Sequence, residues 1–371
     1  MPIDGSKSEM RLFQNYGLSR SYASRLKQLT KGVASFAELR RIFLHDRYGA
    51  SHLLKPVNDN NAGAFFTNGD DEQLQRAWAQ ENGLKAQTPL EDILLAQIEA
   101  HRTEVFYNLD PVRYPSRFVA RLPQCVKRKL AWRAAPSGAS DFGAYDLILC
   151  NFPSFIEKYK ALGWRAAHFT PSHDPEMSAY AANEDRPIDV LFVGGYSRHH
   201  ADRAKILDAV AGLRDRYAIE FCLDRSRLTA LAETPLGLIG PLHPHRRTSS
   251  IRAVSAPPVF GRQLYEKMSR AKIVLNGNGA IDIVGRERGN MRCWETLGLG
   301  AAMLSDEGDY PDGMEPDVTM CAYHDGADAV AKLQNMLSGA GAHRALARAG
   351  SDMLATRYSN KRLWERFAGL L

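Results

Sequence analysis

Twice along this chain, short apolar runs of strand length alternate with helical stretches, and that alternation constrains the fold more than any other feature. From residue 103 onward, EVFYNL (104–109), KLAWRAA (129–135), YDLILCN (145–151) and AAHFTP (166–171) read as strands, and SFIEKYKALG (154–163) as a helix ended by Gly163. Strands separated by helices pair through crossovers, so they form parallel sheets with both faces covered. A polar stretch with two prolines and no sustained period, SHDPEMSAYAANEDRPI (172–188), reads as a linker. The pattern then restarts with strands at 188–195, 218–224, 272–279, 301–308 and 319–323, and helices at 200–217, 261–271, 325–337, 341–357 and 360–369. Residues up to about 101 show apolar positions three to four apart and read as helical, with Asp70–Asp71 and Thr88–Pro89 as helix starts. The expected class is α/β: two parallel-sheet domains facing a central cleft, preceded by an extra helical segment.

A length of 371 residues fits two domains better than one core. No apolar run approaches the roughly 18–20 residues of a membrane span. The first thirteen residues, MPIDGSKSEMRLF, lack the apolar core of a secretory signal, so a cytoplasmic location is expected. Five scattered cysteines without a CxxC pair argue for reduced thiols over a disulfide framework or a zinc site. The net charge of +6 suits a phosphate-bearing ligand or an anionic membrane surface. The longest basic cluster, HPHRRTSSIR (243–252), reads as a loop and not as a nucleic-acid tract. No nucleic-acid partner is expected, whereas peripheral association with the inner face of the membrane fits the charge.

Two stretches carry the chemistry. In VGGYSRHH (193–200), Gly194, Gly195 and Tyr196 lie where a strand meets a helix start, and glycine lets backbone N–H groups approach a phosphate. His200 is a candidate for direct chemistry there. In GNGAIDIVGRERGNMRCWE (277–295), a Gly/Asn-rich loop follows Asn276 and leads into a helix offering Arg288, Gly289, Asn290 and Arg292 to a pyrophosphate. Glu295 lies one turn further, where a carboxylate accepts bonds from vicinal ribose hydroxyls, and Glu287 stands eight positions before it. The competing structural reading of this stripe is internal Arg–Glu pairing. On the acceptor side Asp110, Asp141, His173 and Asp174 stand at strand ends or in the linker as candidate general bases. No P-loop or DxD motif is present, and no metal is implied.

The series DVLFVGGYSRHH, YEKMSRAKIVLNGNG, RGNMRCWETLGLGAAMLSDEG and AGSDMLATRYSNKRLWERF resembles the GT-B glycosyltransferases. Within them it looks like the CgeB-type (spore-maturation-protein-like) branch of the group 1 enzymes. The resemblance implies a Rossmann-like acceptor domain over 103–180, with residues 1–102 joined to it. It further implies a Rossmann-like nucleotide-sugar domain over 181–355 and a last helix, 356–371, packing back on the first domain. It casts ETLGLG (295–300) as the donor-binding segment, with Thr296 in place of the usual Ala, and Glu287 as the first member of an E-x7-E pair, inside RERGN instead of EGFG. The activity implied is metal-independent, hexosyl-type transfer from a nucleotide-sugar co-substrate to a glycan, protein or small-molecule acceptor. Two alternatives stay open: an inactive sugar-nucleotide-binding module, and a DNA-binding protein using NYGLSRSYASRLKQLTKG (15–32) as a helix-turn-helix beside a ligand-sensing domain.

Overall fold

The computed structural model describes residues 10–196, 201–238, 240–277, 285–339 and 341–371. The chain divides into two compact units, Met1–Thr170 with Leu363–Leu371, and Pro171–Arg362. Each is built on a six-stranded, wholly parallel sheet.

The first sheet comprises β1 (Leu12–Asn15), β2 (Ala64–Thr67), β3 (Val105–Asn108), β4 (Arg128–Trp132), β5 (Leu147–Cys150) and β6 (Ala166–His168), in the order β2-β1-β3-β4-β5-β6. Two of these strands, β1 and β2, fall in the stretch read from sequence as helical. Their polar residues hide them. Gln14 is buried, with Nε2 donating to His52 O (2.9 Å) and Oε1 accepting from Leu54 N (3.1 Å). Asn15 Nδ2 reaches Asn108 Oδ1 across the ladder at 2.8 Å. Buried polar groups must find such partners, and here the sheet interior supplies them. Helix α1 (Arg20–Leu29), capped by Ser19, follows β1 directly. The segment 15–32 is therefore a strand–turn–helix of the sheet, which corrects the helix-turn-helix reading. The chain returns to this unit at its end, where Phe367 packs 5.0 Å from Tyr107 and Arg128 Nη2 donates to Leu370 O (2.9 Å).

The second sheet comprises β7 (Ile188–Tyr196), β8 (Ile219–Arg225), β9 (Ser255–Ala256), β10 (Ala271–Leu275), β11 (Ala302–Asp306) and β12 (Cys321–Tyr323), in the order β12-β11-β10-β7-β8-β9. Alternate residues of β7 explain the layering. Val190 and Phe192 face a core with Leu207 of α2 (Ala201–Ala211) and Leu333 of the helix Gly326–Ser338. Leu191 and Val193 face another with Leu264 and Met268 of α3 (Gly261–Ser269). Helices on both faces bury the central strands β7, β10 and β11, which is why those strands read as continuous apolar runs. In this order the chain turns away to opposite sides of the β7–β10 pair, a switch point that opens a crevice beyond the strands' carboxyl ends. The β1–β3 pair of the first sheet is the corresponding switch point there.

Candidate functional site

At the β7–β10 crevice the glycines prove to be strand residues. Gly194 and Gly195 pair with Leu223 and Asp224 of β8, and the strand runs on through Tyr196, whose ring enters the core. A Cβ on Gly195 would meet nothing within 4 Å among the described residues. Residues 197–200, including the candidate His200, lie outside the described residues.

Asn276, just past β10, is a buried hub. Its Nδ2 donates to Ser305 Oγ (3.0 Å), its Oδ1 accepts from Asn290 Nδ2 (3.2 Å), and its carbonyl accepts the Tyr323 hydroxyl (2.7 Å). These bonds tie together β10, β11, β12 and the start of α4 (Met291–Gly298). The helix begins later than its charge stripe suggests. Gly289 takes φ +128°, where side chains are strained, and Asn290 is the N-cap. Arg288 therefore sits in a loop, not on the helix. It is buried, its Nε lies 2.7 Å from Asp306 Oδ2, and its Nη1 donates to Gly285 O (2.9 Å) and Glu287 O (3.1 Å). Glu287 forms an isolated parallel bridge with Asp309 at the rim.

On α4, Arg292 Nη1 bonds Glu295 Oε2 at 2.5 Å. The internal pairing foreseen as the competing reading is thus present. Burial pushes the Glu295 carboxyl above its usual range, against the pull of Arg292. Arg288 with Asp306 and Arg292 with Glu295 are matched pairs, so neither arginine is an uncompensated cation.

A cation without a carboxylate partner among the described residues at this crevice is Arg203, which the sequence reading passed over. From the first turn of α2, its Nη1 donates to Gly195 O (3.1 Å) and its Nη2 to Gly277 O (2.9 Å), so one guanidinium staples the carboxyl ends of β7 and β10. Its carbon lies 5.9 Å from the Phe192 ring centroid. Among the described residues no carboxylate lies within ion-pair distance, and the buried Nε has no hydrogen-bond partner. Burial draws its pKa down, and the fields of Tyr323 and Asp306 oppose that. A desolvated cation held only by carbonyl dipoles at a switch point, beside a helix N-terminus, is arranged to take an anion.

His173 and Asp174 lie elsewhere in this unit. His173 N donates to Tyr358 O (2.7 Å), and its ring Cδ2 is 3.3 Å from where a Cβ on Gly298 would stand, at the end of α4 remote from the crevice. Burial lowers its pKa, and Asp174 opposes that. Asp174 is buried and accepts from the Tyr265 hydroxyl of α3 at 2.9 Å. Both residues fasten the segment after Thr170 to its own unit.

Asp110 follows β3 at the switch point of the first sheet. Arg113 bridges it to Asp70, with Nε 3.2 Å from Asp110 Oδ2 and Nη2 3.6 Å from Asp70 Oδ2. Both Asp70 oxygens stand 3.1 Å from Leu18 N. Gly17 admits this contact, since a Cβ there would lie 2.7 Å from Asp110 Oδ2. Asp71, the neighbour of Asp70, caps the following helix as expected, whereas Asp70 itself is a site residue that the sequence concealed behind that cap. Asp141 makes a turn, accepting from Gly143 N at 2.8 Å.

Burial raises the Asp70 pKa to about 6, and the negative Asp110 adds to it, while Leu18 N–H and Arg113 pull it down. Because the folded value exceeds the usual 3.8, protonation favours the folded state. Stability from this group is full below about 4 and is lost as pH rises through about 6, a change of roughly 3 kcal/mol. Urea titrations from acid to neutral pH should show that slope, and Asp70→Asn should flatten it. An unchanged slope in the variant would contradict the assignment.

Two parallel α/β units of this kind make up the GT-B glycosyltransferase fold, and solved structures of that fold are similar to this chain. A family model described as glycosyl transferase-like matches residues 216–369, a stretch that includes Glu295 but not Arg203. No curated protein matches the chain in sequence. In fold the chain is similar to HepE of Anabaena in complex with UDP and glucose, with TM-score 0.58 and 11% identity over 98% of this chain and 99% of that one. The same protein in complex with UDP-glucose gives TM-score 0.56 and 12% identity over the same shares. A glycosyltransferase from Rickettsia africae gives 0.50 and 11% identity over 98% of both chains. At these identities the likeness is one of fold.

Proposed function

We propose that this chain is a glycosyltransferase, nearest the CgeB-type branch, that moves a hexosyl unit from a nucleotide-sugar without a metal ion. The observation that carries the reading is the Arg203 guanidinium, without a carboxylate partner among the described residues, stapling Gly195 and Gly277 at the switch point. In this proposal Arg203 and the N-terminus of α4 hold the diphosphate, and Glu295 accepts from the ribose hydroxyls. Arg288, Arg292, Asn276 and Asn290 set the positions of those groups. HepE, which shares the fold, binds UDP-glucose, and that supports a uridine donor as the first to try.

In the transfer proposed, the acceptor oxygen attacks the anomeric carbon, the bond to the diphosphate oxygen breaks with its electron pair leaving on the diphosphate, and the hydroxyl proton passes to a general base. Developing charge on the leaving group is met by Arg203.

A thermal-shift panel of UDP, GDP, TDP, CMP and their sugars tests the donor reading. A ligand at 100 times its Kd stabilises by about 2.7 kcal/mol, which shifts the midpoint by several degrees. One base should stand out. No shift with any of them would overturn the proposal, and binding without turnover would favour the inactive module.

A further inference from the structure

The insertion between β8 and β9 presents its large apolar residues outward. In the short helix Arg227–Ala232 the residues turned inward are Thr229 and Ala232, while Leu228 and Leu231 stand 47% and 43% exposed. Leu238, just past the turn that packs on the end of this helix, is 59% exposed. Seven large apolar side chains are exposed among the described residues, and three of them fall within residues 228–238. The other four are scattered singly, as is ordinary; a cluster is not.

The charge along this insertion is mostly positive. Residues 225–252 hold five arginines and a single acidic residue, Glu233. Glu233 is already occupied by Arg225 and by a two-pronged contact from Arg247. Arg227 and Arg252 are exposed, and Arg246 donates only to the carbonyls of Ala232 and Thr234. Among the described residues none of these three has a carboxylate within ion-pair distance. Exposed leucines in one insertion with unpaired arginines match the two components of an anionic lipid surface, headgroup charge outside and acyl chain beneath.

We propose that residues 225–252 dock on an anionic bilayer, with Leu228, Leu231 and Leu238 entering the acyl boundary and Arg227, Arg246 and Arg252 meeting the headgroups. Because β8 ends at Arg225, the insertion begins, with Arg227, Leu228 and Leu231, at the same sheet edge as the β7–β10 crevice, and it returns to the sheet at Ser255 beside Phe221. Docking there brings that crevice to the membrane surface.

The test is co-sedimentation of the full chain with vesicles of phosphatidylglycerol and phosphatidylcholine, against phosphatidylcholine alone. Binding to the anionic vesicles only, weakened by salt, is expected. The exposed triple variant L228S/L231S/L238S should lose roughly tenfold or more of that binding. R227Q/R252Q should lose roughly fivefold for each charge removed. Both should melt as the parent does. Failure to bind anionic vesicles would overturn the proposal, as would equal binding by the triple variant. A concentration-dependent dimer abolished by the triple variant, with no vesicle binding, would reassign the patch to a second copy. The donor reading fails separately: UDP-induced thermal shifts are independent of the vesicle result.

Discussion

Replacing Arg203 with methionine is expected to lower kcat/KM for the nucleotide-sugar by about 100- to 1,000-fold, the usual loss when one charged donor to a developing oxyanion is removed. Methionine keeps an unbranched stem against the Phe192 ring, where the guanidinium carbon now lies at 5.9 Å. The variant therefore deletes the charge with little change in packing. Two carbonyls, Gly195 O and Gly277 O, lose their donor as well. Each sits at a strand end at the open crevice, so water takes over and the stability loss should stay near 1 kcal/mol. Arg203→Lys separates the effects further. It restores charge but cannot span both carbonyls while bonding a phosphate, so it should recover only part of kcat/KM. Isothermal titration with the nucleoside diphosphate gives the binding half of the loss and single turnover the chemical half. Parent-like kinetics in Arg203→Met would leave the guanidinium as a structural staple only.

What could be read in advance follows burial. The runs IDVLFV and KIVL announce themselves because β7 and β10 are covered on both faces and need apolar residues throughout. By contrast β1 and β2 are four residues each and spend buried positions on Gln14, Asn15 and Thr67, whose partners lie 38 to 93 residues away or on a neighbouring helix. No local period encodes those contacts. The charged stripe at 288–295 was legible as composition but not as geometry. One glycine at positive φ moves the helix start to Met291 and turns Arg288 toward Asp306. Arg203 was invisible for a related reason. ADRAKILDAVA reads as an ordinary helix, and nothing local signals that its arginine reaches a carbonyl 74 residues onward. The acceptor-side pair shows the mixed case: Asp110 stood out at a strand end, whereas Asp70 was masked by the capping role of Asp71.

Glu295 is where structural and ligand roles overlap most, and paired variants should separate them. The carboxylate is 7% exposed and bonds Arg292, which lies three positions earlier on the same helix. Glu295→Gln keeps an oxygen for Arg292 but loses the charged acceptor for the ribose. KM for the donor should rise about 10- to 100-fold, the worth of a hydrogen bond to a charged group, with kcat changed less. Arg292→Met acts differently. It leaves Glu295 buried without its cation, so the carboxyl, already raised by burial, rises further. The ionised form then appears only at higher pH than in the parent, and the fall of the donor KM with increasing pH should be displaced to higher pH in this variant. Either change breaks a largely buried ion pair, and a stability loss of roughly 2–4 kcal/mol is expected, toward the lower end because Arg292 keeps some contact with water. If the pair were purely architectural, both variants would melt earlier while the donor KM and its pH dependence stayed with the parent. A donor KM that rises in Glu295→Gln, and whose pH dependence moves to higher pH in Arg292→Met, would locate the ribose contact on the carboxylate itself, with Arg292 favouring its ionised form.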